Sequence, residues 1–164
     1  MLGFFRKKQN PELAAVVSGN CIPLEHVKDE VFASKAMGDG VAIIPDSNLV
    51  VAPCDGSLSL VANTGHAFGM VGSDGTEILV HIGIDTVALN GNGFEVLTKQ
   101  GETVKKGQAI IRFDTDVMKD YNLDMTTMMI VLSKDVVIES RMTGSKLKNG
   151  QDTAIVYRKI GNGE

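Results

Sequence analysis

The sequence predicts an all-β fold, an antiparallel sandwich or barrel-like single domain with one or two short helices. Glycine accounts for 18 of the 164 residues, and many of these glycines stand beside aspartate or asparagine in turn-like pairs. Short runs rich in valine, isoleucine and leucine lie between the turns, at residues 41–44, 48–51, 78–84, 109–113, 128–132 and 154–157. Helical periodicity is weak except around residues 24–32 and 116–123, where we expect a turn or two of helix.

Length and charge restrict the class of protein further. The 164 residues suit one domain, and we place a flexible N-terminal tail at residues 1–10 and the folded domain at residues 11–164. Sixteen basic and 20 acidic residues give a net charge of −4, which argues against nucleic acid as a partner because phosphate binding needs a clustered basic face. The two cysteines, Cys21 and Cys54, form no CxxC pair and favour reduced thiols in a cytoplasmic protein.

The predicted tail does not have the pattern of a targeting segment. Its apolar residues precede its basic ones, which is the reverse of a signal peptide. No run of the sequence approaches the roughly 18 apolar residues that span a bilayer. Phe4, Phe5 and the basic residues 6–8 allow at most a weak contact with an anionic membrane surface.

The most informative segment is a predicted hairpin in which two apolar strands flank residues 72–75. A two-residue turn at 73–74 places His66 directly opposite His81, and one at 74–75 places the two residues diagonally on the same face. Either register brings the imidazoles within reach, with about 4.5–8 Å between their Cβ atoms. A three-residue loop would place them on opposite faces. The third histidine, His26, is expected on the surface.

The residues around the two histidines predict a working site. With a period of two, one face of the second strand carries Leu79, His81, Gly83 and Asp85. Thr64 shares a face with His66, so its hydroxyl could fix the orientation and tautomer of that ring. Two imidazoles this close are rarely both charged, because each cation opposes protonation of the other. A neutral ring with a free nitrogen is a nucleophile or a metal ligand, and its neighbour can donate a hydrogen bond.

These segments resemble the glucose-type EIIA proteins of the bacterial phosphoenolpyruvate-dependent sugar phosphotransferase system. The resemblance rests on Val-His-Ile-Gly-Ile-Asp-Thr-Val at residues 80–87, preceded by Thr-Gly-His-Ala-Phe at 64–68. Further matching segments lie at residues 31–35, 37–42, 51–56 and 101–107, so the resemblance covers roughly residues 14–158. It implies an antiparallel β-sandwich of the duplicated hybrid motif type, in which a shallow, apolar-rimmed depression holds both histidines.

The resemblance also implies a phosphotransferase component that acts as a phosphohistidine carrier. His81 would accept the phosphoryl group from HPr and pass it to a cysteine of the EIIB domain of a sugar permease. His66 would support the transfer, Thr64 would orient His66, and the backbone carbonyl of Gly83 would hold the other nitrogen of His81. The residues expected to face partners are Asp29, Phe32, Leu79, Ile82 and Asp85. Family members also bind non-transport proteins according to their phosphorylation state, which extends the expectation to regulatory partners.

The implied relay needs no cofactor, and the chain has no Walker motif for ATP. His66 and His81 could hold an adventitious zinc ion, completed by water or by a carboxylate of another chain. The sequence departs from the family at Ala62, Leu79 and Ile82, where glucose-type members often carry phenylalanine. Aliphatic residues there keep the depression dry but alter its partner-facing shape.

Two interpretations from other classes compete with the relay. Residues 51–56, 104–108 and 117–119 are similar to a biotinyl or lipoyl carrier domain with Lys119 as the modified lysine, but Asp120 follows where carriers need an apolar residue. His81 and Asp85 have the spacing of lysostaphin-type zinc peptidases, but no later histidine completes the ligand set. A zinc-binding interaction module is therefore a more credible alternative than a zinc hydrolase.

Overall fold

The computed structural model describes residues 10–161, and within that range fourteen strands form three antiparallel sheets. The largest sheet contains, in spatial order, β13 (Lys146–Leu147), β2 (Gly19–Pro23), β3 (Asp39–Pro45), β11 (Thr127–Val131), β7 (Glu77–His81), β6 (Ala67–Gly72), β5 (Gly56–Val61) and β9 (Thr103–Val104). The second contains β1 (Glu12–Ala14), β14 (Thr153–Lys159) and β12 (Val136–Arg141). The third contains β4 (Leu49–Val51), β10 (Ala109–Phe113) and β8 (Phe94–Val96). The predicted antiparallel β-sandwich is confirmed.

The two predicted helical regions are also confirmed. The first divides into a 3-10 turn at Leu24–His26 and the short helix α1 (Glu30–Ala33), and the second is α2 (Thr115–Asp120). A further 3-10 turn at Thr86–Leu89 was not predicted. Within residues 10–161, no helix is long and apolar enough to cross a membrane. The predicted tail and its suggested membrane contact lie outside the described residues, except for Asn10.

The large sheet buries side chains on both of its faces, and β11 shows this most clearly. Met129 and Val131 pack into the main core, whereas Met128 and Ile130 belong to a second, smaller cluster. That cluster also contains Phe32 from α1, and Leu79 of β7 packs against it. Because successive residues of a strand point to opposite faces, one fully buried strand separates the two clusters. The smaller cluster lies on the face of β7 that carries His81.

A β-bulge in β5 places two nearby leucines in opposite environments, one buried in the core and one exposed. Leu58 is 1% exposed and Leu60 is 51% exposed, although a regular strand would place both on one face. The register against β6 shifts between them, because Leu58 pairs with Met70 and Leu60 with Gly69. The extra residue of the bulge reverses the direction of the side chains that follow it.

We therefore expect Leu58→Ala to lower the free energy of unfolding by about 2–5 kcal/mol, because it leaves a cavity in the main core. Leu60→Ala, the same substitution two residues away, should cost no more than about 1 kcal/mol. Urea denaturation followed by circular dichroism measures both. Equal losses for the two variants would contradict the bulge.

Candidate active site

The hairpin of β6 and β7 pairs in a register that neither predicted turn gives. Ala67 lies opposite His81 and Phe68 opposite Val80, which leaves a three-residue loop at residues 73–75. Gly75, at φ 87°, takes the left-handed position that such a loop requires. Both predicted two-residue turns are therefore wrong.

The two imidazoles nevertheless meet, because His66 precedes β6 rather than lying within it. Strict alternation of faces holds only inside a paired strand, and the chain reaches His66 through Gly65 in a left-handed conformation at φ 71°. The amide of Ile82 donates to the carbonyl of His66 at 2.7 Å and holds the end of this loop beside β7. The ring centroids of His66 and His81 lie 5.1 Å apart, edge to face. The structure thus brings the two predicted histidines together by a route that the sequence analysis did not foresee.

The ring of His81, the last residue of β7, is fixed by a bond to its own turn. Its Nδ1 lies 2.9 Å from the carbonyl oxygen of Gly83. A carbonyl oxygen only accepts hydrogen bonds, so Nδ1 carries the proton and Nε2 of the neutral ring keeps its lone pair free. Gly83 has φ 76°, and a Cβ there would lie 2.6 Å from Cγ2 of Thr86, so this position requires glycine.

The ring of His66 is held by Thr64, as the sequence analysis expected. Oγ1 of Thr64 lies 2.5 Å from Nδ1 of His66. A hydroxyl can donate or accept, so this contact sets the plane of the ring while allowing either tautomer. It leaves Nε2 of His66 as the nitrogen that Thr64 does not engage.

Apolar side chains form the wall of the depression. The ring of Phe32 lies 5.0 Å from that of His81, centroid to centroid, and half-buried Leu79 belongs to the same cluster. Phe32 is only 6% exposed, so it offers a partner little surface. Ile82 is 0% exposed and packs in the main core. Its expected place on the partner-facing surface is wrong, because Ile82 lies on the same side as Val80, in the main core, and not on the side of His81.

Burial favours the neutral form of both histidines. Burial lowers the pKa of His81 below its ordinary value. The hydrogen bond to Gly83 opposes this shift, as do the carboxylates of Asp29 and Asp85. Burial also lowers the pKa of His66, and the neighbouring His81 lowers it further. The arrangement therefore offers a neutral nucleophile at Nε2 of His81 with a second imidazole beside it.

Asp29 and Asp85 lie close enough to His81 to influence its charge. Asp29 caps α1 by accepting a hydrogen bond from the amide of Val31 at 2.9 Å and is half-buried. Asp85 is exposed and adopts a left-handed conformation at φ 59° just before the 3-10 turn. The third histidine, His26, is exposed as expected.

Two residues that support the turn after β7, Thr86 and Asp124, were not predicted from the sequence. Thr86 is fully buried, and its hydroxyl donates to the carbonyl of Ile82 at 2.5 Å. The amide of Ile84 donates to the carbonyl of Asp124 at 2.8 Å. Thr86 belongs to the matching segment 80–87, but nothing in that segment predicts its hydrogen bond. The identity of Asp124 gives no indication of its role, because its backbone carbonyl makes the contact.

The competing interpretations fit this geometry poorly. Lys119 is an exposed residue in the last turn of α2, whereas a biotinyl or lipoyl carrier presents its lysine at the tip of a hairpin. Two ring nitrogens, from His66 and His81, fit a zinc ion as half of a four-ligand set. Among residues 10–161, no three histidine, cysteine, aspartate or glutamate side chains form a group that could hold a metal ion. A zinc ion completed by another molecule stays a prediction.

Fold and site together define a class of β-sandwich proteins with two adjacent histidines in an apolar depression. The chain belongs to the EIIA 1 family of the phosphoenolpyruvate-dependent sugar phosphotransferase system, whose family model matches residues 11–137. It is therefore a phosphotransferase component, a phosphohistidine carrier in sugar uptake, as the resemblance implied.

Individual relatives agree with this assignment. The chain is 38% identical over 151 residues to the PTS system glucose-specific EIIA component of Borreliella burgdorferi, covering 92% of this chain and 80% of that one. It is 43% identical over 123 residues to the N-acetylglucosamine-specific EIICBA component of Klebsiella pneumoniae, covering 75% of this chain and 19% of that longer protein. The structure of glucose permease IIA from Mycoplasma capricolum superposes with a TM-score of 0.83 at 37% identity, covering 93% of this chain and 97% of that one.

The electrostatics of the depression predict the effect of removing a rim carboxylate. Asp85→Asn removes a negative charge that favours the imidazolium form, so the pKa of His81 should fall further. An NMR titration of the histidine ring protons measures this shift. Asp135→Asn is the control, because it removes the same charge far from His81. Asp135 pairs with Lys159, which contacts Asp74 in the hairpin loop, at the opposite end of β7 from His81. A rise in the pKa of His81, or equal shifts in the two variants, would contradict the prediction.

Proposed function

We propose that His81 accepts a phosphoryl group from the phosphohistidine of HPr and passes it to a cysteine in the EIIB domain of a sugar permease. Membership of the family supports the relay, and the geometry supports the choice of His81 over His66 as the acceptor. The observation that carries this choice is the hydrogen bond from Nδ1 of His81 to the carbonyl of Gly83, which leaves Nε2 as a free nucleophile. The bond from Thr64 to His66 does not fix a tautomer in this way.

In the accepting step, the lone pair on Nε2 of His81 attacks phosphorus. The new N–P bond forms as the N–P bond of the donor histidine breaks, and the donor ring leaves with the electron pair. No proton needs to be removed from the nucleophile, because the ring proton already sits on Nδ1. In the second step, a cysteine thiolate attacks the same phosphorus and Nε2 of His81 leaves. Positioning and electrostatic stabilisation supply most of what such a transfer requires.

His66 stabilises the group in transit. In the tautomer whose Nδ1 accepts from the hydroxyl of Thr64, the ring of His66 carries its proton on Nε2 and can donate it in a hydrogen bond to a phosphoryl oxygen on His81. The ring centroids are 5.1 Å apart, so an oxygen bound through phosphorus to Nε2 of His81 falls within reach. Such a donor acts where charge accumulates during transfer.

The apolar wall protects the phosphorylated histidine. Phe32 covers one side of the His81 ring and Leu79 lies on the same face of β7. Excluding water from this surface disfavours hydrolysis and leaves a partner's nucleophile as the main acceptor. Asp29 and Asp85 lie at the rim, where their charges suit a basic surface on HPr.

The EIIB acceptor and regulatory partners follow from the same surface. In the Klebsiella relative, the matching region is part of a longer EIICBA component, which supports an EIIB domain as the next carrier. Phosphorylation adds close to two negative charges to an apolar depression, so partners that dock there without water should prefer the unphosphorylated form. The protein would then report the phosphorylation state of the relay to non-transport proteins.

The roles of the two histidines can be separated by labelling. The protein is incubated with labelled phosphoenolpyruvate, enzyme I and HPr, and a purified EIIB domain is then added. His81→Gln should take no label, because it lacks the accepting nitrogen. His66→Gln should take label but pass it on more slowly, by about a hundredfold, because it loses one donor to the transferring group.

His26→Gln is the matched control for both variants, since His26 is exposed on the 3-10 turn Leu24–His26. It should accept and transfer label at the rate of the unmodified protein. Uptake of label by His81→Gln, or failure of His66→Gln to take up label, would overturn the assignment of roles.

A further inference from the structure

We propose that Thr86 is a positioning residue for His81: its hydroxyl fixes the turn after β7 so that the carbonyl of Gly83 holds Nδ1 of His81. This inference rests on the proposed function, because it concerns the nitrogen that accepts the phosphoryl group. Thr86 touches neither imidazole through a hydrogen bond of its own. Its influence passes through the backbone of residues 82–86.

The side chain of Thr86 contacts the turn after β7 at two places. It is 0% exposed and begins the 3-10 turn Thr86–Leu89. Its Oγ1 donates to the carbonyl of Ile82, four residues earlier, at 2.5 Å. Its methyl group lies against the backbone of Gly83, because a Cβ on Gly83 would be 2.6 Å from Cγ2 of Thr86. One side chain thus holds both the start and the middle of the turn.

The turn is of a kind that needs such support. Within four residues, the backbone is left-handed twice, at Gly83 with φ 76° and at Asp85 with φ 59°. The left-handed region is unfavourable for a side chain such as that of Asp85, so neighbouring contacts must maintain it. A second contact comes from the other side, where the amide of Ile84 donates to the carbonyl of Asp124. This second contact fixes the middle of the turn, and the hydroxyl of Thr86 fixes its attachment to β7.

The direction of the Gly83 carbonyl decides the tautomer of His81. While that carbonyl faces Nδ1, the proton stays on Nδ1 and Nε2 is the nucleophile. If the turn relaxes, the proton can occupy Nε2 and block the accepting position. Of the two carboxylates that raise the pKa of His81, Asp29 lies outside the turn and remains in place, whereas Asp85 lies within the turn and can move with it. A change in the tautomer of His81 would report on the Gly83 contact.

The test compares Thr86→Val, which keeps the shape of the side chain but loses the hydroxyl, with Thr86→Ser, which keeps the hydroxyl. Nitrogen NMR of 15N-histidine-labelled protein gives the tautomer ratio and the pKa of His81 without any phosphoryl transfer. In Thr86→Val, we expect the fraction with the proton on Nε2 to rise by about fivefold to tenfold, the change that one lost hydrogen bond produces. The pKa of His81 should fall, because the bond to Gly83 raises it. Labelling from phosphorylated HPr should slow by a similar factor.

Thr86→Ser should restore the tautomer ratio and the labelling rate. A Thr86→Ala and Thr86→Ser pair repeats the comparison without the methyl group, which decides the matter if Thr86→Val does not fold. An unchanged tautomer ratio in folded Thr86→Val, or in Thr86→Ala relative to Thr86→Ser, would overturn the positioning role. If the tautomer changes as expected but His81→Gln still takes label, the positioning role stands and the proposed function fails.

Discussion

The candidate active site depends on one local hydrogen bond, from Nδ1 of His81 to the carbonyl of Gly83, two residues later in the chain. This bond fixes the proton on one nitrogen and leaves the other free, which makes an ordinary imidazole into a directed nucleophile. Because the bond is local, it needs no distant partner. It needs only a backbone that turns sharply at the end of β7, which glycine at position 83 permits.

The rest of the fold places apolar side chains and an acidic group around that local bond. β11 lies between β3 and β7 and is buried on both faces, so the sheet has a second buried cluster on the side that carries His81. Phe32 reaches this cluster from α1, where the amide of Val31 donates to the side chain of Asp29. One short segment therefore supplies both an apolar wall and an acidic group near the ring. Sequence-distant elements determine how dry and how charged the site is.

The sequence could predict the strands, the helical regions and the pair of histidines, because each leaves a local pattern. It could not predict the hairpin register, since the choice between a two-residue and a three-residue loop depends on how Gly75 and Thr76 are used. The partner-facing position expected for Ile82 came from the family resemblance, whereas alternation of faces assigns Ile82 to the side of Val80, in the main core, where the structure has it. The histidines met despite the register error, because the left-handed conformation of Gly65 takes His66 out of the alternation.

In the proposed relay, the carboxylates at the rim would balance acceptance of the phosphoryl group against its release. Burial favours the neutral form of His81, while Asp29 and Asp85 favour the imidazolium. A phosphoryl group on Nε2 would bring close to two negative charges into the neighbourhood of these carboxylates, and like charges repel. In the proposed relay, the same carboxylates would attract a basic donor before transfer, so their charge would help to recruit the donor and then disfavour retention of the group. A phosphoryl relay needs both recruitment of the donor and release of the group, because a carrier that held the phosphoryl group too strongly would not pass it on.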